Sequence, residues 1–386
     1  MQDWAIDWSD DPAAVGLNPT RWARVAPLMN ALCGEAAAAI CVGRGRTALR
    51  PLASGLIVPG GPPATPETRF AVASLTKPIV ATLVLAAVER GELSLGERVV
   101  DRLPAFGGGK KRAVRIRHLL THTSGLPDLL PDDLELREAG APLETFLQRA
   151  AAEPLTFEPG RAVAYSSLGF AVLWALLNDG DPDQGGRLLS DRVLEPLGMT
   201  ATSLGPAGAA VGEIAAVRTP GRASAGTRVS VWNSDYWREL GAPWGGALST
   251  AADMGRFCAA WTTGGGPVLS PAAVEAATAN ALAPMRQIPE EDRRCRPWGL
   301  GWRRVWPAHA AYFGDLLPPE AFGHWGSTGC VMWADPRTRR WAAILTAHPQ
   351  DPEGTLCGRL SNAIVASFAA KRGHVGDALA DSRRGE

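Results

Sequence analysis

The chain has 386 residues, 46% of them hydrophobic, and its 39 basic and 39 acidic residues give a formal net charge of zero. This length exceeds the usual size of one domain and the apolar content suffices for a large core, so we expect two subdomains or one domain with an insertion. The balanced charge offers no electrostatic basis for binding nucleic acid or an acidic membrane surface. No stretch reaches the ~18 consecutive apolar residues of a membrane span.

The first eleven residues are acidic and lack the basic segment and apolar core of a secretory signal peptide, which predicts a cytoplasmic protein. The six cysteines are scattered and form no Cys-x-x-Cys pair. That pattern is typical of reduced thiols rather than of a disulfide framework or a zinc site.

The N-terminal part of the chain reads as a helix followed by two strands. Apolar residues recur on one helical face over residues 17–33, residues 36–42 are typical of a buried strand, and a second strand extends to about residue 56. The turn between the strands fits Gly-x-Gly-x-x-Ala, but no βαβ unit follows it. A dinucleotide site is therefore not predicted.

Ser74 and Lys77 stand three residues apart at the start of a long apolar run, with Pro78 next. Serine is a common N-cap and proline is tolerated in a first helical turn, so we predict a buried helix that begins at or just after Ser74. Residues i and i+3 share a helix face, which places the amine of Lys77 beside the hydroxyl of Ser74. Apolar surroundings lower the pKa of a lysine, and a neutral amine can take the proton of a serine nucleophile.

Lysine occurs at only four positions in the chain, which favours a specific role for Lys77 over a casual surface charge. The alternative is that Ser74 merely caps the helix and that Lys77 extends from its first turn towards solvent.

Other catalytic motifs are missing from the sequence: it contains no Gly-x-Ser-x-Gly, no His-Glu-x-x-His and no Walker loop. Serine–lysine chemistry is the one coherent catalytic hypothesis.

The middle of the chain predicts helices over residues 116–120, 143–152, 170–177 and 188–197. His118 and His122 have the i, i+4 spacing of a metal-binding pair, but no third ligand is indicated, so we favour a structural role for both. Tyr165 lies on a predicted loop just before the third of these helices. Its hydroxyl either faces a cleft, where a tyrosine of lowered pKa can share proton transfer with a lysine, or bonds to the backbone in a packed interior.

The last third predicts a helix over residues 251–261, strands over 298–306, 324–335 and 340–346, and a closing helix over 354–370. Strands near both ends with helices between them favour an α+β fold in which one sheet is assembled from both termini. We expect a sheet domain made of residues 1–99 and 241–386, and a mostly helical insertion over residues 100–240.

The motifs, taken together, give the chain a family likeness. It resembles the serine β-lactamase and penicillin-binding-protein superfamily on its class C β-lactamase side, the branch that also holds family VIII carboxylesterases and related acyltransferases. The resemblance runs from about residue 12 to residue 370. It rests on six segments in this order: Ser74-Leu75-Thr76-Lys77, His118–Pro127, Tyr165-Ser166-Ser167, Glu195–Met199, Gly245–Thr250 and His324–Gly329.

The resemblance implies an α/β sandwich, a β-lactamase-like antiparallel sheet flanked by helices, with the active site at its interface with the helical insertion. It implies Ser74 as the acylated nucleophile and Lys77 with Tyr165 as the coupled base. The backbone N–H groups of Ser74 and Ser327 stand at the places of the oxyanion hole. No metal or organic cofactor is implied.

Two departures from the class C pattern bear on the substrate. Ser167 stands where that class usually has asparagine, and His324 stands where a lysine usually opens the third motif, followed here by Trp325 and Gly326. We expect these four residues to contact substrate. Because the missing lysine helps hold a substrate carboxylate, its replacement favours a less charged ester or amide over a β-lactam or a D,D-peptide.

The chain has fourteen tryptophans, and several fall in segments that border the superfamily's cleft. We expect some of them to line a dry aromatic pocket and note the alternative that most are core residues. The candidates are Trp232, Trp237, Trp244, Trp298, Trp302 and Trp325.

The sequence thus predicts a serine hydrolase that cleaves a small-molecule ester or amide through an acyl-enzyme on Ser74. The main alternative is a transacylase that passes the acyl group to an alcohol or amine in a biosynthetic pathway. β-Lactamase or D,D-peptidase activity and a non-catalytic binding protein are further alternatives.

Overall fold

The computed structural model describes residues 4–178, 181, 183–205, 213–218, 231–306, 312–351 and 353–369. The strands in chain order are β1 (Asp7–Ser9), β2 (Ala38–Arg44), β3 (Thr47–Leu49), β4 (Leu52–Ser54), β5 (Arg69–Ala71), β6 (Ser203–Leu204), β7 (Ile214–Ala215), β8 (Ala247–Ser249), β9 (Arg303–Arg304), β10 (Phe322–Gly326), β11 (Cys330–Asp335) and β12 (Arg340–Thr346). The α-helices are Pro19–Trp22, Val25–Cys33, Thr76–Glu89, Val99–Arg102, Ile116–Leu120, Asp133–Glu138, Leu143–Ala152, Leu168–Asn178, Gln184–Leu189, Asp235–Leu240, Ala251–Thr262, Pro271–Thr278, Glu290–Cys295 and Thr355–Ser367.

The main sheet joins the two ends of the chain. Its strand order is β1-β3-β2-β12-β11-β10-β9, with β4 also paired to β2. β2 and β12 pair along their whole lengths, from Arg44 opposite Arg340 to Ala38 opposite Thr346. All neighbours are antiparallel except β1 and β3. The predicted sheet built from both termini is confirmed.

Both faces of this sheet are buried. Ala38 and Ile40 of β2 belong to the core cluster on one face, and Ala39 and Cys41 belong to the cluster on the other. Successive side chains of a strand point to opposite faces, so a run of apolar residues can serve two cores at once.

Helices cover each face. Residues from Val25–Cys33 and Thr355–Ser367 pack on the first face, and residues from Thr76–Glu89 and Ala251–Thr262 pack on the second. The result is a layer of helices, a sheet and another layer of helices, which confirms the predicted α/β sandwich.

A smaller sheet, in the order β6-β8-β5-β7, lies at the start of the Thr76–Glu89 helix. Its strands β6 and β7 come from the segment 100–240, which we expected to be mostly helical, yet they pair with β8 and β5 from outside that segment. The described remainder of the segment is mostly helical. The boundaries at residues 100 and 240 stay a prediction.

Several predicted elements have different limits in the structure. The helix expected over residues 17–33 is two helices, because Pro19 starts a short one behind the Asn18 cap and a break follows Trp22. The strand expected over 298–306 is reduced to β9. The strand expected over 324–335 is two strands, β10 and β11, joined by a turn in which Gly329 adopts a φ of 98°.

Two helices also differ from expectation. The helix expected over residues 188–197 is Gln184–Leu189 followed by a π-helical turn, Ser190–Leu194. The closing helix is Thr355–Ser367, and the last residue predicted for it, 370, lies outside the described residues. Within the described part of the chain, no helix combines the length and apolarity needed to cross a membrane.

We predict that Ile344→Ala lowers the free energy of unfolding by about 2–5 kcal/mol, because Ile344 is fully buried in β12 and its loss leaves a cavity between sheet and helices. Urea denaturation of the wild type and the variant measures the difference. Leu316→Ala is the control, since Leu316 is 55% exposed and should change stability by no more than about 0.5 kcal/mol. Equal effects of the two substitutions would contradict the described core.

Candidate functional site

Ser74 lies on a tight turn between the smaller sheet and a buried helix. Strand β5 leads into a 3-10 turn, Ala73–Leu75, and the α-helix begins at Thr76. Ala73 has a φ of 46°, a left-handed conformation that is unfavourable for a residue with a Cβ atom. Such strain persists only where the surroundings fix the backbone, and it often accompanies functional sites.

Two threonines hold this turn in place. The Thr76 hydroxyl donates to the carbonyl of Ala73 at 2.7 Å and accepts the N–H of Ala247 at 3.1 Å. The Thr328 hydroxyl donates to the carbonyl of Ala71 at 2.6 Å. The turn is thereby tied to β8, and the strand that leads into it, β5, is tied to the turn between β10 and β11.

The predicted capping role of Ser74 is wrong. The helix has Leu75 at its N-cap and no side-chain cap. The Ser74 hydroxyl instead accepts a hydrogen bond from Nζ of Lys77 at 3.0 Å, so the amine does lie beside the hydroxyl as the spacing predicts.

Lys77 is completely buried, which excludes the alternative of an amine extending to solvent. Its Nζ also donates to the carbonyl of Trp244 at 2.7 Å. Burial lowers the pKa of Lys77 to about 7, a shift that the negative charge of Asp128 partly opposes. Near neutral pH a large share of this amine is unprotonated and able to accept a proton from Ser74.

Tyr165 lies above the amine, with the centre of its ring 4.8 Å from Nζ of Lys77. Burial raises the pKa of Tyr165 far above its ordinary value, and the nearby Ser74 hydroxyl offsets the rise only in part. The phenol oxygen makes no well-formed hydrogen bond to any residue that the structure describes, backbone included. Of the two alternatives for Tyr165, the one with a lowered pKa is therefore wrong, and Tyr165 is a phenol that can donate a proton.

Two histidines behind Tyr165 are neutral. His122 and His324 are fully buried, and Nδ1 of each accepts a backbone N–H, from Ser166 at 3.1 Å and from Trp325 at 2.9 Å. Burial and the charge of Lys77 lower the pKa of His324 to about 3 and that of His122 well below its ordinary value. His324 thus supplies no cation at the place where the class C pattern has a lysine.

The histidine pair considered for metal binding does not form a metal site. His122 lies beyond the end of the Ile116–Leu120 helix, with a φ of 57°, and His118 uses Nδ1 to accept the backbone N–H of Arg115. Over the described ranges of the chain, no three histidine, cysteine, aspartate or glutamate side chains are grouped to hold a metal ion.

A cavity of about 350 Å³ opens onto Ser74. Of the residues predicted to contact substrate, Ser167 and Trp325 line it, whereas His324 lies buried behind the wall and does not. The full lining is Ala73, Ser74, Asp128, Leu129, Arg137, Tyr165, Ser167, Trp232, Trp237, Trp244, Gly245, Trp325 and Ser327.

Gly326 is also absent from the lining, and its role is a close approach of two backbones. A Cβ atom on Gly326 would lie 2.4 Å from the carbonyl oxygen of Val72 and 3.2 Å from Cβ of Ala73. The missing side chain lets β10 press against the turn that carries Ser74. This close approach gives Gly326 a positioning role, and the expected substrate contact stays a prediction.

The aromatic pocket is largely as predicted. Trp232, Trp237, Trp244 and Trp325 line the cavity. The remaining two candidates are core residues: Trp298 packs edge-on against His122, and Trp302 packs among Phe257, Trp261 and Phe322.

The backbone N–H groups of Ser74 and Ser327 are available for a ligand. Ser327 lines the cavity with Ser74, and neither N–H donates to a carbonyl among the described residues. Unpaired N–H groups next to a nucleophile are the arrangement that stabilises an oxyanion.

Sequence reasoning missed two charged residues of the cavity, Asp128 and Arg137. Oδ1 of Asp128 accepts the N–H of Ser167 at 2.9 Å. Asp128 directly follows Pro127, the end of one of the six segments, and that position was the available indication. Arg137 comes from a polar helix whose sequence gives no indication that it faces the cavity.

Comparison with known proteins identifies the family of the chain. The profile of the Beta-lactamase family matches residues 34–366. A segment of 156 residues, 36% of this chain and 39% of its relative, is 38% identical to esterase EstB of Burkholderia gladioli. Penicillin-binding protein 4 of Amycolatopsis lactamdurans is 29% identical over 290 residues, which are 73% of this chain and 72% of that protein.

The fold is also shared with a solved structure. The crystal structure of a penicillin-binding protein homologue from Caulobacter crescentus superposes with a TM-score of 0.73 and 25% identity, over 91% of this chain and 99% of that one. Because the family profile covers most of the sequence and the fold is shared, the chain belongs to the Beta-lactamase family.

Proposed function

We propose that the protein is a serine hydrolase that cleaves a small-molecule ester or amide through an acyl-enzyme on Ser74. The observation that carries the proposal is the buried amine of Lys77, 3.0 Å from Oγ of Ser74, with its pKa lowered to about 7. A base of that pKa is matched to work near neutral pH.

The proposed acylation uses groups that line or border the cavity. Oγ of Ser74 attacks the substrate carbonyl carbon while Nζ of Lys77 takes the hydroxyl proton. The N–H groups of Ser74 and Ser327 stabilise the oxyanion, and each such donor is worth about 3–4 kcal/mol where it has been removed elsewhere. The tetrahedral intermediate collapses, the leaving alcohol or amine departs with a proton, and the acyl group stays on Ser74.

Tyr165 has a revised role in this scheme. Because its pKa is raised, it serves as the donor that hands a proton to the leaving group and is reprotonated from the Lys77 ammonium. A water molecule then attacks the acyl-enzyme, with Lys77 again as the base, and releases the acid.

The departures in sequence make a less charged ester or amide the expected substrate. His324 is neutral, so the cation that would hold a β-lactam or peptide carboxylate is missing from its usual place. Four tryptophans around the cavity favour an apolar or aromatic group. We therefore rank β-lactamase and D,D-peptidase activity below esterase activity.

We predict that a short-chain p-nitrophenyl ester gives a transient acyl adduct on the wild type and none on Ser74→Ala. Intact-protein mass spectrometry during turnover measures the adduct, and Ser270→Ala, remote from the cavity on an exposed helix cap, is the control that should keep it. An adduct that persists on Ser74→Ala would refute Ser74 as the nucleophile.

The same measurement distinguishes hydrolase from transacylase. An adduct that water alone clears supports the hydrolase. An adduct that persists until a small alcohol or amine is added supports the transacylase. If a panel of esters, amides and a chromogenic cephalosporin gives neither adduct nor turnover, the binding-protein alternative is favoured.

We predict a single acidic limb in the pH dependence of kcat/KM, with a midpoint near the Lys77 pKa of about 7. Below it the amine is protonated and cannot accept the Ser74 proton, so the rate falls about tenfold per pH unit. Steady-state kinetics between pH 5 and pH 9 measure the limb. A rate that does not change across this range would contradict Lys77 as the base.

We predict that Lys77→Met abolishes acylation and stabilises the fold at low pH. In the folded protein Lys77 loses its proton near pH 7, and in the unfolded chain it keeps it to about pH 10.4. Between these values the unfolded state binds more protons, so the stability contributed at Lys77 rises with pH, by roughly 1.4 kcal/mol per unit. The advantage of Lys77→Met is therefore largest below pH 7 and shrinks towards pH 10.

Urea denaturation of both proteins at several pH values measures this difference, and the other titrating groups cancel in the comparison. Arg90→Met is a matched control, since this exposed cation ends the same helix. A constant difference between wild type and Lys77→Met across the range would contradict the lowered pKa.

A further inference from the structure

We propose that the substrate of this site carries a cationic ammonium group, held between the carboxylate of Asp128 and the aromatic wall of the cavity. This inference rests on the proposed function and names a feature of its substrate.

Asp128 presents an acidic group to the cavity that contains Ser74. Its Oδ1 accepts the N–H of Ser167 at 2.9 Å, and its backbone carbonyl accepts the N–H groups of Ser167 and Leu168 at 3.1 Å each. These bonds fix the carboxylate at the cavity wall. Among the described residues none forms a salt bridge with Asp128; its carboxylate interacts over a longer range with the Lys77 amine and lines the cavity where a ligand can reach it.

The positive charge of Arg137, which also lines the cavity, is balanced by an acidic neighbour. Arg137 forms a salt bridge with Asp133 at 2.8 Å, and both side chains are almost buried, 8% and 12% exposed. Its guanidinium also stacks over the ring of Trp237, 4.3 Å from the ring centre. An ion pair of this kind contributes little net charge to the cavity.

The remaining titratable neighbours are neutral above pH 7. Tyr165 keeps its proton, and Lys77, with a pKa of about 7, is mostly unprotonated above that pH, the form in which it can activate the nucleophile. His324, in place of a lysine, adds no charge. The described wall is thus negative at Asp128 when the site is ready to react, which attracts a cation and repels a carboxylate.

The aromatic wall suits the same ligand. Trp325 is half-buried and stacks on Tyr312 at 4.8 Å and near Tyr165 at 6.0 Å, which holds its indole rigidly at the cavity. Trp232 and Trp244 also line that wall, whereas the ring of Trp237 is already covered by the guanidinium of Arg137. Tryptophan faces attract ammonium groups more strongly than other side-chain rings do, and more so when water is excluded.

A test that needs no turnover uses choline and its neutral isostere, 3,3-dimethylbutan-1-ol, in which carbon replaces the nitrogen. Binding to the intact protein is measured by titration of tryptophan fluorescence at constant ionic strength, with 3-hydroxypropanoate as the anionic probe. Asp128→Asn keeps an oxygen that can accept the N–H of Ser167. Glu135→Gln is the matched control, because Glu135 is an exposed acid nearby that does not line the cavity.

We expect choline to bind the wild type about tenfold more tightly than the isostere, which corresponds to roughly 1.4 kcal/mol. Asp128→Asn should reduce this ratio to near one, and Glu135→Gln should keep it. Equal binding of choline and the isostere to the wild type, an unchanged ratio in Asp128→Asn, or tightest binding of the anion would each overturn the proposal.

Turnover of acetylcholine and 3,3-dimethylbutyl acetate separates this inference from the proposed function. A binding preference for choline without hydrolysis of either ester refutes the hydrolase and keeps the cation site. Hydrolysis dependent on Ser74, without the binding preference, keeps the hydrolase and refutes the cation site.

Discussion

The burial of one amine determines how the site is built. Lys77 has no contact with solvent, and its Nζ is held by the hydroxyl of Ser74 and the carbonyl of Trp244. Removing an ammonium from water is unfavourable, so burial lowers the pKa of Lys77 to about 7 even though the negative charge of Asp128 opposes the shift. The apolar Thr76–Glu89 helix is what makes this possible, since twelve of its fourteen residues are buried.

The titratable side chains packed around Lys77 carry no charge near neutral pH. Tyr165, His122 and His324 are all held in their neutral forms by the same dry surroundings. Only one member of the cluster titrates near neutral pH, so its protonation state is well defined. A second cation next to Lys77, as in the class C pattern, would lower its pKa further and would attract anions, whereas this chain has an acid, Asp128, at the cavity wall.

The parts of this arrangement that depend on local sequence were predictable. The spacing of Ser74 and Lys77 brings their side chains together, and the continuous run of apolar residues in β2 indicates a strand buried on both sides. The sheet assembled from both termini follows from where the strand patterns occur. These predictions rest on local sequence patterns, which do not depend on contacts with distant parts of the chain.

The parts of the site that depend on contacts between distant segments could not be predicted from the sequence. That Ser74 sits on a 3-10 turn rather than capping a helix results from bonds to Ala247 and Ala71 made by Thr76 and Thr328. The direction of the Tyr165 pKa depends on burial by His122 and Trp298, and the placement of Asp128 on a loop has no periodic pattern. Gly326 was expected at the substrate because it belongs to the same sequence motif as Trp325, whereas its packing against the carbonyl of Val72, a contact between distant segments, explains why it has no side chain.

The pairing of β2 with β12 has a consequence for how the protein is made. These central strands lie roughly 300 residues apart in the chain, so the sheet has a high contact order and folds slowly. At translation rates of about 5–20 residues per second, β2 emerges roughly 15–60 s before its partner exists. During that time an apolar strand with both faces destined for burial has an open edge, which is the condition under which chaperones capture nascent chains and unprotected chains aggregate.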